Sequence, residues 1–104
     1  MKISCLIGSP RKNSNSAAIA AKFVNTAASL GAQVETVVLN NLTYRGCQGC
    51  MACKTTSEKC VLEDDLAGVL ESLKKADVIV MALPVYCSDV PGQVKCFIDR
   101  SYSY

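Results

Sequence analysis

Apolar residues follow two rhythms along this chain. Lys2 to Ile7 is a short, nearly continuous apolar run that stops at Gly8, the pattern of a buried strand. From Ser16 to Leu30 the larger apolar residues Ile19, Phe23, Ala27 and Leu30 recur at helical spacing, with alanines filling the turns between them. Gly31 is placed to end that helix. Gln33 to Leu39 (QVETVVL) reads as a β-branched second strand. Asn40 to Leu62 has no clean period and is predicted to be a long loop, a length that is uncommon without a task. Asp64 or Asp65 then caps a second helix running to about Ala76, its apolar face formed by Leu66, Val69, Leu70, Leu73 and Ala76. Val78 to Leu83 (VIVMAL) predicts a third strand covered on both faces. Pro84 to Pro91 is a second loop, and Gln93 to Tyr102 a third helix.

Strand, helix, strand in this order implies parallel strands joined by crossover helices. The expectation is an α/β fold: a doubly wound parallel sheet of about three strands in the order 2-1-3, forming one domain over residues 1–104. The length of 104 residues suits one small core. A formal charge of +2 with dispersed basic residues argues against nucleic acid as a partner. No apolar run approaches the roughly 20 residues that span a bilayer. The N-terminus lacks the signal-peptide pattern, because Lys2 to Ile7 is short and runs straight into a turn. A cytoplasmic protein is expected, with no membrane partner.

The stretch Gly8 to Ser16, GSPRKNSNS, carries the first candidate chemistry. A strand that breaks at Gly-Ser-Pro and feeds a helix leaves first-turn N–H groups free at the positive end of the helix dipole. Ser9, Ser14, Asn15 and Ser16 can add side-chain hydrogen bonds to a bound oxyanion. Arg11 and Lys12 add positive charge, Arg11 with a fork suited to phosphate. A capped serine-rich bend with no ligand would carry the same letters. No Walker loop and no G-x-G-x-x-G is present, which argues against a dinucleotide on a Rossmann turn and leaves a mononucleotide phosphate open.

In a sheet of order 2-1-3 the loops after strands 1 and 3 splay apart, and ligands bind in the crevice between them. Pro84 stiffens the second loop, while Val85 and Tyr86 offer apolar and aromatic surface beside backbone polar groups. Such a loop suits a planar heterocycle tethered to a phosphate held by the first loop. FMN satisfies both demands.

Seven cysteines are many for so short a chain. Without a secretory pattern they suggest metal or redox chemistry rather than a disulfide framework. Cys5, Cys87 and Cys96 stand apart and read as small apolar fillers. Cys47, Cys50, Cys53 and Cys60 form C-x2-C-x2-C-x6-C, whose two short gaps let three thiolates converge as in ferredoxin loops. Tetrahedral zinc on the same thiolates, or free thiols, are the alternatives.

Three segments, GSPRKNSNS, GCQGCMACKTTSEKCVLEDDL and ADVIVMALPVYCSDVPGQVKCFIDR, together resemble the NADPH-dependent FMN reductase family, most closely its iron–sulfur flavoprotein branch. The resemblance implies a flavodoxin-like fold with the FMN phosphate at Ser9, Arg11, Ser14, Asn15 and Ser16. It places the flavin ring against Pro84, Val85, Tyr86 and Ser88. The four clustered cysteines would hold a 4Fe–4S cluster, and NAD(P)H would be the electron donor. Electron transfer of this kind implies a redox protein as one class of partner. Family members continue for two further strands beyond the Asp-Arg that here is Asp99–Arg100. The expected third strand is therefore a hydrophobic open edge, which a homo-oligomer would cover. A non-catalytic metal-binding or thiol redox-sensing module is the alternative function.

Overall fold

The computed structural model describes residues 1–104. Strands β1 (Lys2–Ile7), β2 (Gln33–Val38) and β3 (Val78–Ala82) form one parallel sheet in the order β2-β1-β3. Cys5 lies opposite Thr36 on one side and Val80 on the other, so β1 is the central strand, as its apolar run requires. Four helices accompany the sheet: α1 (Asn15–Ser29), α2 (Ala52–Thr55), α3 (Asp65–Leu73) and α4 (Gly92–Arg100). None is long and apolar enough to cross a membrane.

Local chemistry sets the helix ends. Ser14 caps α1 by accepting the Ala17 N–H at 3.0 Å. At the other end Gly31 takes φ +94 and donates to Ala28, while Ala32 donates to Ala27, a Schellman closure of the last carbonyls. Asp64, not Asp65, caps α3 through the Leu66 N–H at 3.1 Å. This helix stops at Leu73, a turn before the expected Ala76. The long loop is not featureless, since a 3-10 turn at Leu39–Asn41 and the single turn of α2 interrupt it.

The core lies on one face of the sheet. Leu6 and Leu39 pack there with Leu66, Leu70 and Leu73 of α3 and with Val94 and Phe97 of α4. Tyr44 closes its rim with a hydroxyl that donates to the Gln93 carbonyl at 2.7 Å, and burial pushes that phenol up to about 12.

Two expectations are corrected. Ile19 and Phe23 of α1 and its C-cap residue Leu30 do not enter a core; they are 71, 42 and 82% exposed. The helix instead turns Ala17, Ala20, Val24 and Ala27 inward, a stripe of small side chains that lets it lie close to the strands. Nor is β3 covered on both faces. Burial alternates along it: Ile79 and Met81, in register with Ser4 and Leu6 on the α3/α4 face, are half exposed because the packed helices do not reach over this edge of the sheet. An open apolar groove is bounded by Ile19 and Phe23 on one wall and Val80 and Leu83 on the other.

Gly8 is the joint where β1 meets its loop. Its N–H donates to the Ala82 carbonyl at 2.8 Å, and a Cβ there would stand 2.4 Å from Val94 Cγ2 and 3.0 Å from Leu83 Cβ. Val94 is fully buried and β-branched, so it has little room to yield. Gly8→Ala is expected to destabilise the chain by about 1–3 kcal/mol, the usual range for overpacking. Urea unfolding followed by circular dichroism would measure it, and an unchanged midpoint would contradict the packing described.

Candidate functional site

The loops after β1 and β3 leave neighbouring strand ends and start side by side at Gly8 and Leu83. In the first loop Ser9 is buried, and its Oγ accepts the Arg11 N–H at 3.2 Å, which folds the loop back on itself. Ser14 is committed to capping α1. The first turn of that helix contains no acidic residue, so nothing opposes an anion at its positive end. Ser9, Pro10, Arg11 and Lys12 line a hollow of about 190 Å³.

Its far wall is Asn40 and Asn41, which sequence reasoning left inside a long loop. Gln93 donates to Asn40 Oδ1 at 3.2 Å, and Asn40 reaches back toward the Pro10 carbonyl. The available signal was positional, since both asparagines follow the C-terminal end of β2 beside that of β1. Asn15 is exposed beyond this hollow, and Ser16 lies on the α1–β3 groove.

Pro84, Val85, Tyr86 and Ser88 do not line the first-loop hollow; Pro84 is half buried and the other three are exposed. Tyr86 and Asp89 exchange two backbone hydrogen bonds of 2.8 and 3.0 Å around a two-residue turn. Both central residues, Cys87 and Ser88, hold positive φ, at 49 and 64°. This is the geometry of a primed turn, normally given to Asn and Gly. Cys87 is thus exposed at a strained corner rather than filling apolar space. Ser88→Gly is expected to raise stability by about 0.5–1 kcal/mol, the left-handed penalty less the entropy cost of glycine. Thermal unfolding would show it, and a lowered midpoint would count against the strain.

All seven cysteines are free, and Cys47, Cys50, Cys53 and Cys60 line one hollow of about 180 Å³ beside Arg100 and Tyr102. Cys47 and Cys50 are exposed, while Cys53 and Cys60 are half buried. No three cysteine or acidic side chains come close enough to share one ion in this arrangement. The donors nevertheless fit a soft metal or cluster in kind, being four thiols around one solvent-facing recess. Gly49 donates its N–H to Cys47 Sγ at 3.4 Å.

Arg100 was missed as a structural centre. It is fully buried, with Nη1 2.7 Å from Asp64 Oδ2 and Nη2 3.0 Å from Asp64 Oδ1. Its guanidinium holds the Asp64 carboxyl below the usual carboxylate range, assisted by the Arg45 N–H. The residue falls on the stripe Val94, Phe97, Arg100, so helical spacing alone would have placed it inward.

The model of the NADPH-dependent FMN reductase family matches residues 1–103. The chain belongs to that family. An iron–sulfur flavoprotein of Methanosarcina thermophila is 37% identical over 101 residues, covering 97% of this chain and 52% of its own length. One from Archaeoglobus fulgidus is 33% identical over 104 residues, covering 100% of this chain and 47% of the relative. The chain therefore spans about half the length of these relatives. Among solved structures, the NAD(P)H:quinone oxidoreductase of Methanothermobacter marburgensis superposes with a TM-score of 0.81 at 22% identity, over 100% of this chain and 54% of that one. The fold is flavodoxin-like, three parallel strands in the order β2-β1-β3 with flanking helices.

Proposed function

We propose that this chain binds FMN and works as an oxidoreductase drawing electrons from NAD(P)H, with an iron–sulfur cluster on the four cysteines. The observation that carries the reading is the first loop: a buried serine, a Ser14-capped helix N-terminus with no acid in its first turn, and Arg11 and Lys12 around one hollow at the end of the central strand. Such an arrangement suits a phosphate dianion. Ser9 and the first-turn N–H groups of α1 would bind the phosphate, with Arg11 adding charge. Pro84, Val85, Tyr86 and Ser88 would orient the ring from the neighbouring loop. FMN, when bound, supplies the exchange between two-electron and one-electron chemistry, and a cluster supplies one-electron storage. A redox protein would take or give the single electrons. The free thiols fit a reducing cytoplasm.

The β3 edge and the α1 groove are apolar and uncovered, which supports assembly of copies over this face. One observation favours a second reading, a non-catalytic metal or thiol redox module: four free thiols ring a hollow that is separate from the phosphate-type loop.

Anaerobic titration of the purified chain with FMN, followed by NADPH or NADH, separates the two. Bound-flavin absorption that bleaches with a nicotinamide donor supports the oxidoreductase. Metal uptake with no flavin binding favours the module and removes the first reading.

A further inference from the structure

Arg100 offers its donors to three different groups. Two go to Asp64, one to the Arg45 carbonyl at 2.8 Å, and Nε donates to Cys60 Sγ at 3.1 Å. Arg45 precedes the first clustered cysteine and Asp64 follows the last, so one guanidinium closes both ends of the cysteine loop. Asp64 caps α3 through its own bond to the Leu66 N–H, and the Arg100 bonds to Asp64 and to the Arg45 carbonyl suffice to hold the loop shut. The donor given to sulfur exceeds that need. A neutral thiol is a weak acceptor, whereas a thiolate on a metal is a good one, and hydrogen bonds to ligating sulfur tune a cluster's potential.

We propose that Arg100 is the positioning residue for Cys60 as a cluster ligand. It holds the Cys60 sulfur at the rim of the hollow and keeps an N–H···S bond to it after ligation, which raises the cluster's reduction potential. This rests on the reading that the four cysteines hold a cluster. No electron or proton passes through Arg100; its positive charge and fixed donor stabilise the more negative, reduced state of the site.

The test uses the full chain reconstituted anaerobically with iron and sulfide, in wild type and Arg100→Lys. Lysine keeps the charge and can still reach Asp64, but it lacks the planar fork that serves Asp64 and Cys60 together. The expected result is a lower midpoint potential in Arg100→Lys and faster loss of iron to a chelator. A second measurement needs no variant. With NMR-active cadmium in the cysteine site of the wild type, the Arg100 Nε–H resonance should carry a coupling to the metal through the sulfur. A loaded wild type without that coupling, or equal potentials in the two loaded proteins, overturns the proposal while the cluster reading stands. A wild type that takes up no cluster overturns both.

Discussion

Arg100→Met should cost this chain about 3–5 kcal/mol, the range for removing one partner of a buried ion pair. Methionine fills much of the same volume, so the loss comes chiefly from what remains behind. Asp64 keeps its cap on α3 but loses two charge-assisted bonds, and the Arg45 carbonyl loses its donor. Because total stability for a domain is of order 5–15 kcal/mol, a loss of this size moves the urea midpoint far down. The sign of the pH dependence provides an internal check. The folded state depresses the Asp64 carboxyl below its ordinary value of 3.8, through the Arg100 hydrogen bonds first. Its contribution is therefore fully present above that value and is lost as pH falls through the lower folded value. In Arg100→Met this acid-dependent part of the stability should shrink. A variant as stable as the wild type across that range would show that the pair is not holding the loop.

Arg11→Glu should weaken FMN binding by about 100-fold or more, while leaving riboflavin binding nearly unchanged. A charge-assisted hydrogen bond to phosphate is worth about 1.5–3 kcal/mol. The new carboxylate adds repulsion of about 1 kcal/mol at an exposed site. Riboflavin lacks the phosphate, so it reports the ring site alone. Arg11 is exposed and makes no side-chain contact that stability depends on, so folding should not change. Fluorescence titration with both flavins is the measurement. Equal losses for both would place Arg11 at the ring, and no loss would remove it from the site.

The frame of the molecule could be read from the chain because strong local signals agreed there. Lys2–Ile7 and Val78–Ala82 are continuous apolar runs, Ser14 and Gly31 bound one helix, and Asp64 opens another. Side-chain size misled where it was taken as a guide to direction. Ile19 and Phe23 have the spacing of a buried stripe, but the alanines one turn face away allow the closer approach to the sheet. Arg100 was hidden for the opposite reason, since a charge on a buried stripe is explained only by partners distant in sequence. Asn40 and Asn41 join the first loop through the sheet's topology, which no local pattern encodes. The four clustered cysteines line one hollow, but no three of them come close enough to share an ion, because spacing does not determine how far each turns inward.

The bare rim along β3 also bears on how the molecule behaves in company. Its outward backbone amides and carbonyls have no strand to satisfy them, and half-exposed Ile79 and Met81 make the rim sticky as well as hungry for pairing. Concentrating such a chain sets neighbouring molecules in competition for the same row of donors and acceptors. Whatever settles on that rim first, a well-matched sheet element or a stray one, determines whether the population stays clear or turns cloudy.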